Sequence, residues 1–178
     1  MSRKGRVEEK KQSKKGIIIF LLLIILVCVG IIVYLLFFKQ PKQVDYAPGK
    51  EDENIVLLPN SGDKMEAKEG GGAVSLSYSN KVDIDLKTGQ VSINFKNPSR
   101  STQSMVLQVI IKQNDKDVVV AESNRIPPSY ALYELDLKEN ITLSKGEYDG
   151  MFNVMYYDEE TDEKAIVNTN IPIKINVK

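Results

Sequence analysis

The sequence predicts an all-β sandwich of seven to nine strands behind one membrane-spanning helix. Three observations predict it. Residues 16–38 are an unbroken apolar run, apolar and polar residues alternate from Ala73 onward, and turn residues interrupt that alternation at short intervals.

The helix comes first. The run GIIIFLLLIILVCVGIIVYLLFF holds 23 residues and no charge. At ~1.5 Å per residue it spans roughly 34 Å, enough for a ~30 Å hydrocarbon core with some tilt. Residues 1–15 form a basic tail: Arg3, Lys4, Arg6, Lys10, Lys11, Lys14 and Lys15 face only Glu8 and Glu9, a net +5. The far flank turns acidic at Glu51, Asp52 and Glu53. That asymmetry puts the N-terminus in the cytoplasm and residues 39–178 outside. The formal charge of zero hides this dipole along the chain. The tail is expected to meet anionic headgroups of the lipid bilayer rather than nucleic acid.

A cleaved signal peptide fits poorly. The run exceeds the usual 7–15 apolar residues, and KQPKQVDYAPG offers no small-x-small site behind it. Cys28 follows Val27 where a lipoprotein signal wants a small residue, and ten apolar residues continue beyond it. Cys28 and Gly30 are small enough for helix packing, without a GxxxG pair. As Cys28 is the only cysteine, the outer domain has no disulfide. With no histidine, Ser-His-Asp and Cys-His catalysis and the common zinc sites are excluded. A disulfide-free outer domain suits a Gram-positive surface.

Residues 39–72 read as an extracellular stalk, broken by Pro41, Pro48 and Pro59 and closed by Gly70-Gly71-Gly72. As a flexible coil it would reach about 30 Å. Ile55-Val56-Leu57-Leu58 is out of character there and wants cover, as an extra strand on the domain.

Residues 73–178 form the predicted domain. Strands are expected at 73–78, 81–86, 91–95, 105–112, 118–122, 133–137, 149–157, 164–168 and 171–177. Lys87-Thr88-Gly89, residues 113–117 and the acidic run Asp158–Glu163 are turns, and Pro127-Pro128 bars a central strand from 124–130. About 106 residues with this spacing fit a β-sandwich of immunoglobulin type, large enough to bury a core.

The segment Leu143-x-x-Gly146-x-Tyr148 precedes an alternating strand. It resembles the tyrosine corner of immunoglobulin-like and fibronectin type III domains, which implies a structural Tyr148. Other features widen the likeness: Asn97-Pro98 ending a strand, the strand Met105–Lys112, Ser123-x-x-Ile126-Pro127-Pro128, a Leu-x-Leu strand, and Leu-x-x-Gly-Glu-Tyr. Across residues 91–157 this resembles small single-pass surface proteins of Gram-positive bacteria with one such extracellular domain. Some of those belong to conjugative elements, which implies a place beside an envelope-spanning transfer machine.

Catalysis is not expected. Asp83, Asp85 and Asp136 alternate onto a solvent face, where a carboxylate keeps its ordinary acidity. The acidic turn 158–163 lacks the EF-hand spacing and glycine. Asn140-Ile141-Thr142 is a sequon of consequence only in a glycosylating pathway. No cofactor or metal is implied. Parity gives the sharper clue: on the second sheet Val106, Ile110, Met151, Met155 and Tyr157 would all face outward. Such a face predicts either a protein partner or a cover supplied by Ile55–Leu58. The expected function is a tethered, non-catalytic binding or scaffolding module. The alternative is a surface adhesin or wall-polymer binder, with Tyr130 and Tyr133 as its aromatics in a chain without tryptophan.

Overall fold

A computed structural model describes residues 9–38, 44–59, 72–113 and 116–178. Arg3, Lys4 and Arg6 of the basic tail, much of the stalk, and the tip of the 113–117 turn lie outside the described residues. The chain forms two compact units, Met1–Gln43 and Val44–Lys178.

The first unit holds helix α1, Glu9–Phe38. It begins inside the basic tail and takes in Lys10, Lys11, Lys14 and Lys15, because the run Glu9–Lys15 is rich in good helix formers and the α-helical ladder propagates backward through it. Gly16–Tyr34 has a mean hydropathy of 3.5 and none of it is buried, so the segment is long and apolar enough to cross a membrane.

The second unit is all-β among its described residues, an immunoglobulin-like sandwich with nine described strands. They are β1 Ile55–Leu57, β2 Ser77–Tyr78, β3 Lys81–Asp85, β4 Gln90–Asn97, β5 Gln103–Gln113, β6 Lys116–Glu122, β7 Tyr130–Asp136, β8 Gly146–Asp158 and β9 Thr169–Val177. The two layers join as one curled sheet in the order β1-β7-β4-β3-β9-β8-β5-β6, with β2 also on β4. The joint is the parallel pair β3–β9, Lys81 to Ile84 against Lys174 to Val177. Every other strand pair is antiparallel. The ends of the curl approach each other where the Lys138 amide donates to Val120 O (2.8 Å).

Period-two alternation builds the core. β4 buries Val91, Ile93, Phe95 and Asn97 and exposes Gln90, Ser92 and Asn94. Leu107, Val109 and Ile111 of β5 meet Phe152, Val154 and Tyr156 of β8 and Ile171, Ile173 and Ile175 of β9. Phe95 and Phe152 pack edge-on with centroids 6.2 Å apart, a geometry aromatic quadrupoles favour. Each large apolar side chain so buried contributes about 1.5–3 kcal/mol. The β5–β8 contact is tight at Gly150, where a Cβ would sit 2.5 Å from Ile110 O and 2.5 Å from Ile175 Cδ1.

Four expectations are corrected. The strand over 73–78 shrinks to Ser77–Tyr78, since Ala73 instead exchanges hydrogen bonds with Thr102. The strand over 164–168 is absent. Between the pairs Tyr157–Lys164 and Val154–Thr169 the return chain has residues 165–168 where β8 has only 155–156. The surplus loops out, leaving Ile166 and Val167 exposed. Alternation over 133–137 turns Glu134 and Asp136 outward and so Tyr133 inward, yet in β7 a register shift opposite β4, between Ser92 and Phe95, leaves Tyr133 exposed between buried Leu132 and Leu135. Finally, the domain boundary at residue 73 falls late: residues 44–58 are hydrogen-bonded along the domain and belong to its compact unit.

Candidate functional site

The outer face of β5 and β8 is built by their register. Val106 lies opposite Met155, Gln108 opposite Asn153, Ile110 opposite Met151, and Ser104 opposite Tyr157. Parity therefore brings the five expected apolar residues to one face. It also divides them. Asn153 Nδ2 donates to Gln108 Oε1 (2.8 Å) and Gln108 Nε2 donates to Glu122 Oε1 (3.2 Å), so a polar row crosses the middle. Lys138 pairs with Glu122 at its end, and hydrogen bonds from Lys138 and Gln108 outweigh the burial that pushes the Glu122 carboxyl up, leaving it lowered.

The expectation that all five residues form an open patch is corrected. Val106, Met155 and Tyr157 are 1, 7 and 4 % exposed and form a small second cluster with Ala47 packed on it. Burial pushes the Tyr157 phenol up. The cover is not Ile55–Leu58. Those residues instead form β1 on the free edge of β7, Ile55 against Leu132 and Leu57 against Tyr130. Ile55 joins the core while Val56 and Leu57 stay exposed. Ile110 is buried as well, whereas Met151 is half-buried beside an open depression of about 630 Å³. That depression lies between Lys112, Pro172 and the ion-paired Lys174 and Asp149.

The segment over the covered half is fastened at three stations. At the acidic turn the Ala47 amide donates to Asp162 O (2.9 Å), the Lys164 amide to Asp45 O (2.9 Å), and Lys164 Nζ pairs with Asp45 (2.8 Å). At the double-proline loop Asp52 and Arg125 exchange backbone bonds with their neighbours: Asp52 N donates to Arg125 O, and Arg125 N to Lys50 O. The buried Asp52 carboxylate accepts the Asn54 and Asn124 amides (3.0 and 2.8 Å). Arg125 reaches across to pair with Asp162, tying the first two stations together. At the third, β1 joins β7 and the Leu58 amide donates to Ser129 O (2.8 Å). Ala47 carries no signal in the sequence, and Asp52 stands out there only as part of the acidic flank Glu51–Glu53. Only the charge-then-Asn spacing of Asp52-x-Asn54, an Asx-turn pattern, hints at an anchoring aspartate.

The corner around Tyr148 has its expected geometry. Its hydroxyl donates to Ser144 O (2.9 Å), Leu143 is buried, and Gly146 takes φ 145, a value side-chain-bearing residues rarely adopt. In the acidic turn the Asp158 carboxylate accepts the Glu160 and Thr161 amides and the Thr161 hydroxyl. These donors hold its carboxyl below the ordinary 3.8, the Thr161 amide first among them. Among the described residues no group of three His, Cys, Asp or Glu side chains is placed to hold a metal. Tyr130 packs on the core and Tyr133 faces out, so the two do not make one aromatic platform.

No family model matches the chain, and no curated protein does. Solved structures give shallow likenesses. The YadV chaperone is 16 % identical with a TM-score of 0.36 over 59 % of this chain, which spans about half of that protein's length (51 %). AggA, the major subunit of aggregative adherence fimbriae type I from Escherichia coli, is 8 % identical with a TM-score of 0.34, covering 64 % of this chain and 100 % of AggA. The CooA pilin subunit from enterotoxigenic Escherichia coli is 8 % identical with a TM-score of 0.28, over 59 % of this chain and 98 % of CooA. At such TM-scores a likeness assigns neither family nor activity.

Proposed function

We propose that the chain is a single-pass membrane protein whose β-sandwich is a non-catalytic binding or scaffolding module outside the cell. One observation carries it. The side chains of Gly16–Tyr34 are apolar on every side and none is buried, which supports a lipid environment for the helix rather than a protein core. The net +5 tail supports a cytoplasmic N-terminus. The lipid bilayer is then the first partner and a surface protein the second, met through the half of the outer face around Met151. The pattern across residues 91–157 supports a Gram-positive cell and, more finely, an accessory place in a conjugation or secretion assembly. No cofactor, metal or nucleic acid enters this function. The adhesin or polymer-binder alternative has less support, because Tyr130 and Tyr133 do not share a face.

The test is protease treatment of intact cells carrying tags at both ends. A C-terminal tag that is digested while the N-terminal tag stays protected, in membranes that survive carbonate washing, supports the topology. A shortened chain released to the medium overturns it. Photocrosslinking from position 151 then addresses the partner: a specific protein adduct is expected, and its absence removes the binding role.

A further inference from the structure

The sandwich wears residues 44–58 as a layer unlike any other part of it. Three stations of backbone hydrogen bonds hold that layer to the 158–164 turn, the 124–126 loop and the edge of β7. Apolar side chains contribute less. Ala47 and Ile55 pack on the domain and Pro48 and Leu58 are half-buried, while Val44, Tyr46, Val56 and Leu57 are all exposed. The ion pairs that help, Lys164–Asp45 and Arg125–Asp162, are partly solvated and therefore weak. What lies beneath is different: Val106, Met155 and Tyr157 make an apolar face that would be exposed without this layer. An element with few apolar contacts, held largely by backbone hydrogen bonds, opens below the global unfolding free energy.

The order of the fastenings adds direction. Starting from Val44, the chain meets the turn station first, then the Arg125 station, then β1. Tension on the N-terminal side loads these bonds one station at a time, whereas the strands β5, β8 and β9 would have to give way together.

We infer that residues 44–58 are a releasable strap, peeled from its N-terminal end by tension, whose departure uncovers Val106, Met155 and Tyr157 and frees the edge of β7. The strap itself belongs to the domain alone. Only the source of tension rests on the proposed anchoring by α1. In that setting a domain held at both ends, by its helix and by a partner, reports pulling by opening a new apolar surface.

The experiment pulls single molecules of the full chain between residue 43 and the C-terminus, with a removable lock on the strap. Tyr46 and Glu163 form an antiparallel bridge, and the bonds Ala47–Asp162 and Lys164–Asp45 bracket it, so they are a non-hydrogen-bonded pair. Such pairs bring Cα atoms to about 4.5 Å, within disulfide range. The lock is Tyr46→Cys with Glu163→Cys in a Cys28→Ser background, which removes the only other thiol. Reduction opens the lock in the same molecules, so a folding defect cannot imitate the result. In the reduced chain a low-force step is expected before domain unfolding, releasing at least residues 44–58, about 50 Å of contour. Oxidation abolishes that step and leaves the main transition. A single transition under both conditions overturns the inference, as does an early step that oxidation does not remove. Either failure leaves the membrane topology untouched, because the measurement, made with the chain in detergent, does not read topology.

Discussion

The β5–β8 pair carries two apolar faces with two kinds of cover. Inside, Leu107, Val109, Ile111, Phe152, Val154 and Tyr156 meet side chains of β9 and the opposite layer. Outside, Val106, Met155 and Tyr157 meet one alanine on a hydrogen-bonded strap. The residues are chemically alike and come from the same two strands. What separates a core from a latch here is what holds the covering segment down. The core is closed by interdigitated side chains that all leave together. The strap is closed by backbone bonds that water can replace one by one.

Substitutions can break this comparison. The largest effect is expected for Phe152→Ala, which empties a fully buried site and costs about 3–5 kcal/mol. Urea unfolding would read it as a lower midpoint at unchanged slope. Met155→Asp puts a carboxylate under the strap. An unpaired buried charge is costly, but here the strap can lift and hydrate it. Its loss of global stability is therefore expected to stay below that of Phe152→Ala, with the 44–58 amides losing protection from hydrogen exchange. Equal destabilisation by the two variants would erase the distinction between the faces.

Asp52→Ala sharpens the comparison. It strips the acceptors from the Asn54 and Asn124 amides while touching no core side chain. Strap opening is expected to become easier by about 1–3 kcal/mol, seen as exchange at the Ala47 amide at least several-fold faster while the Leu107 amide stays slow. The smallest effect comes from acid. Amide and hydroxyl donors stabilise the ionised Asp158, so its folded pKa lies below its unfolded one. Its contribution is present above pH ~4 and is lost as pH falls through the depressed folded value. Asp83 is lowered the same way, by hydrogen bonds from Lys178 and Asn176. Because the turn that Asp158 shapes presents Asp162 O to Ala47, acidification from pH 7 to 3 is expected to loosen the first strap station before the core. Exchange at Ala47 and Leu107 across that range would show the order.

Much of this was legible in the residues. Strict alternation located β3 and β4, and parity correctly put Val106, Ile110, Met151, Met155 and Tyr157 on one side of adjacent strands. The misses have a common cause. Tyr133 and Ile166 sit where one strand carries more residues than its neighbour, and a register shift of that kind depends on the partner strand, not on local pattern. The strap escaped because backbone bonds and one aspartate hold it, and neither leaves a period in the sequence. Ile55–Leu58 announced a need for cover, yet an apolar run cannot say which of several apolar surfaces it will meet; here β7's edge took it and Ala47 took the face.

The parallel contact between β3 and β9 has a consequence in time. β9 follows the other eight described strands in sequence, yet it stands in the middle of the sheet, between β3 and β8. A chain that emerges N-terminus first can form the β5–β6 hairpin early, but it cannot make the β3–β9 joint until residues 169–177 arrive. Closure of this joint thus waits for that segment. The arrival of one nine-residue stretch therefore completes the seam between the layers.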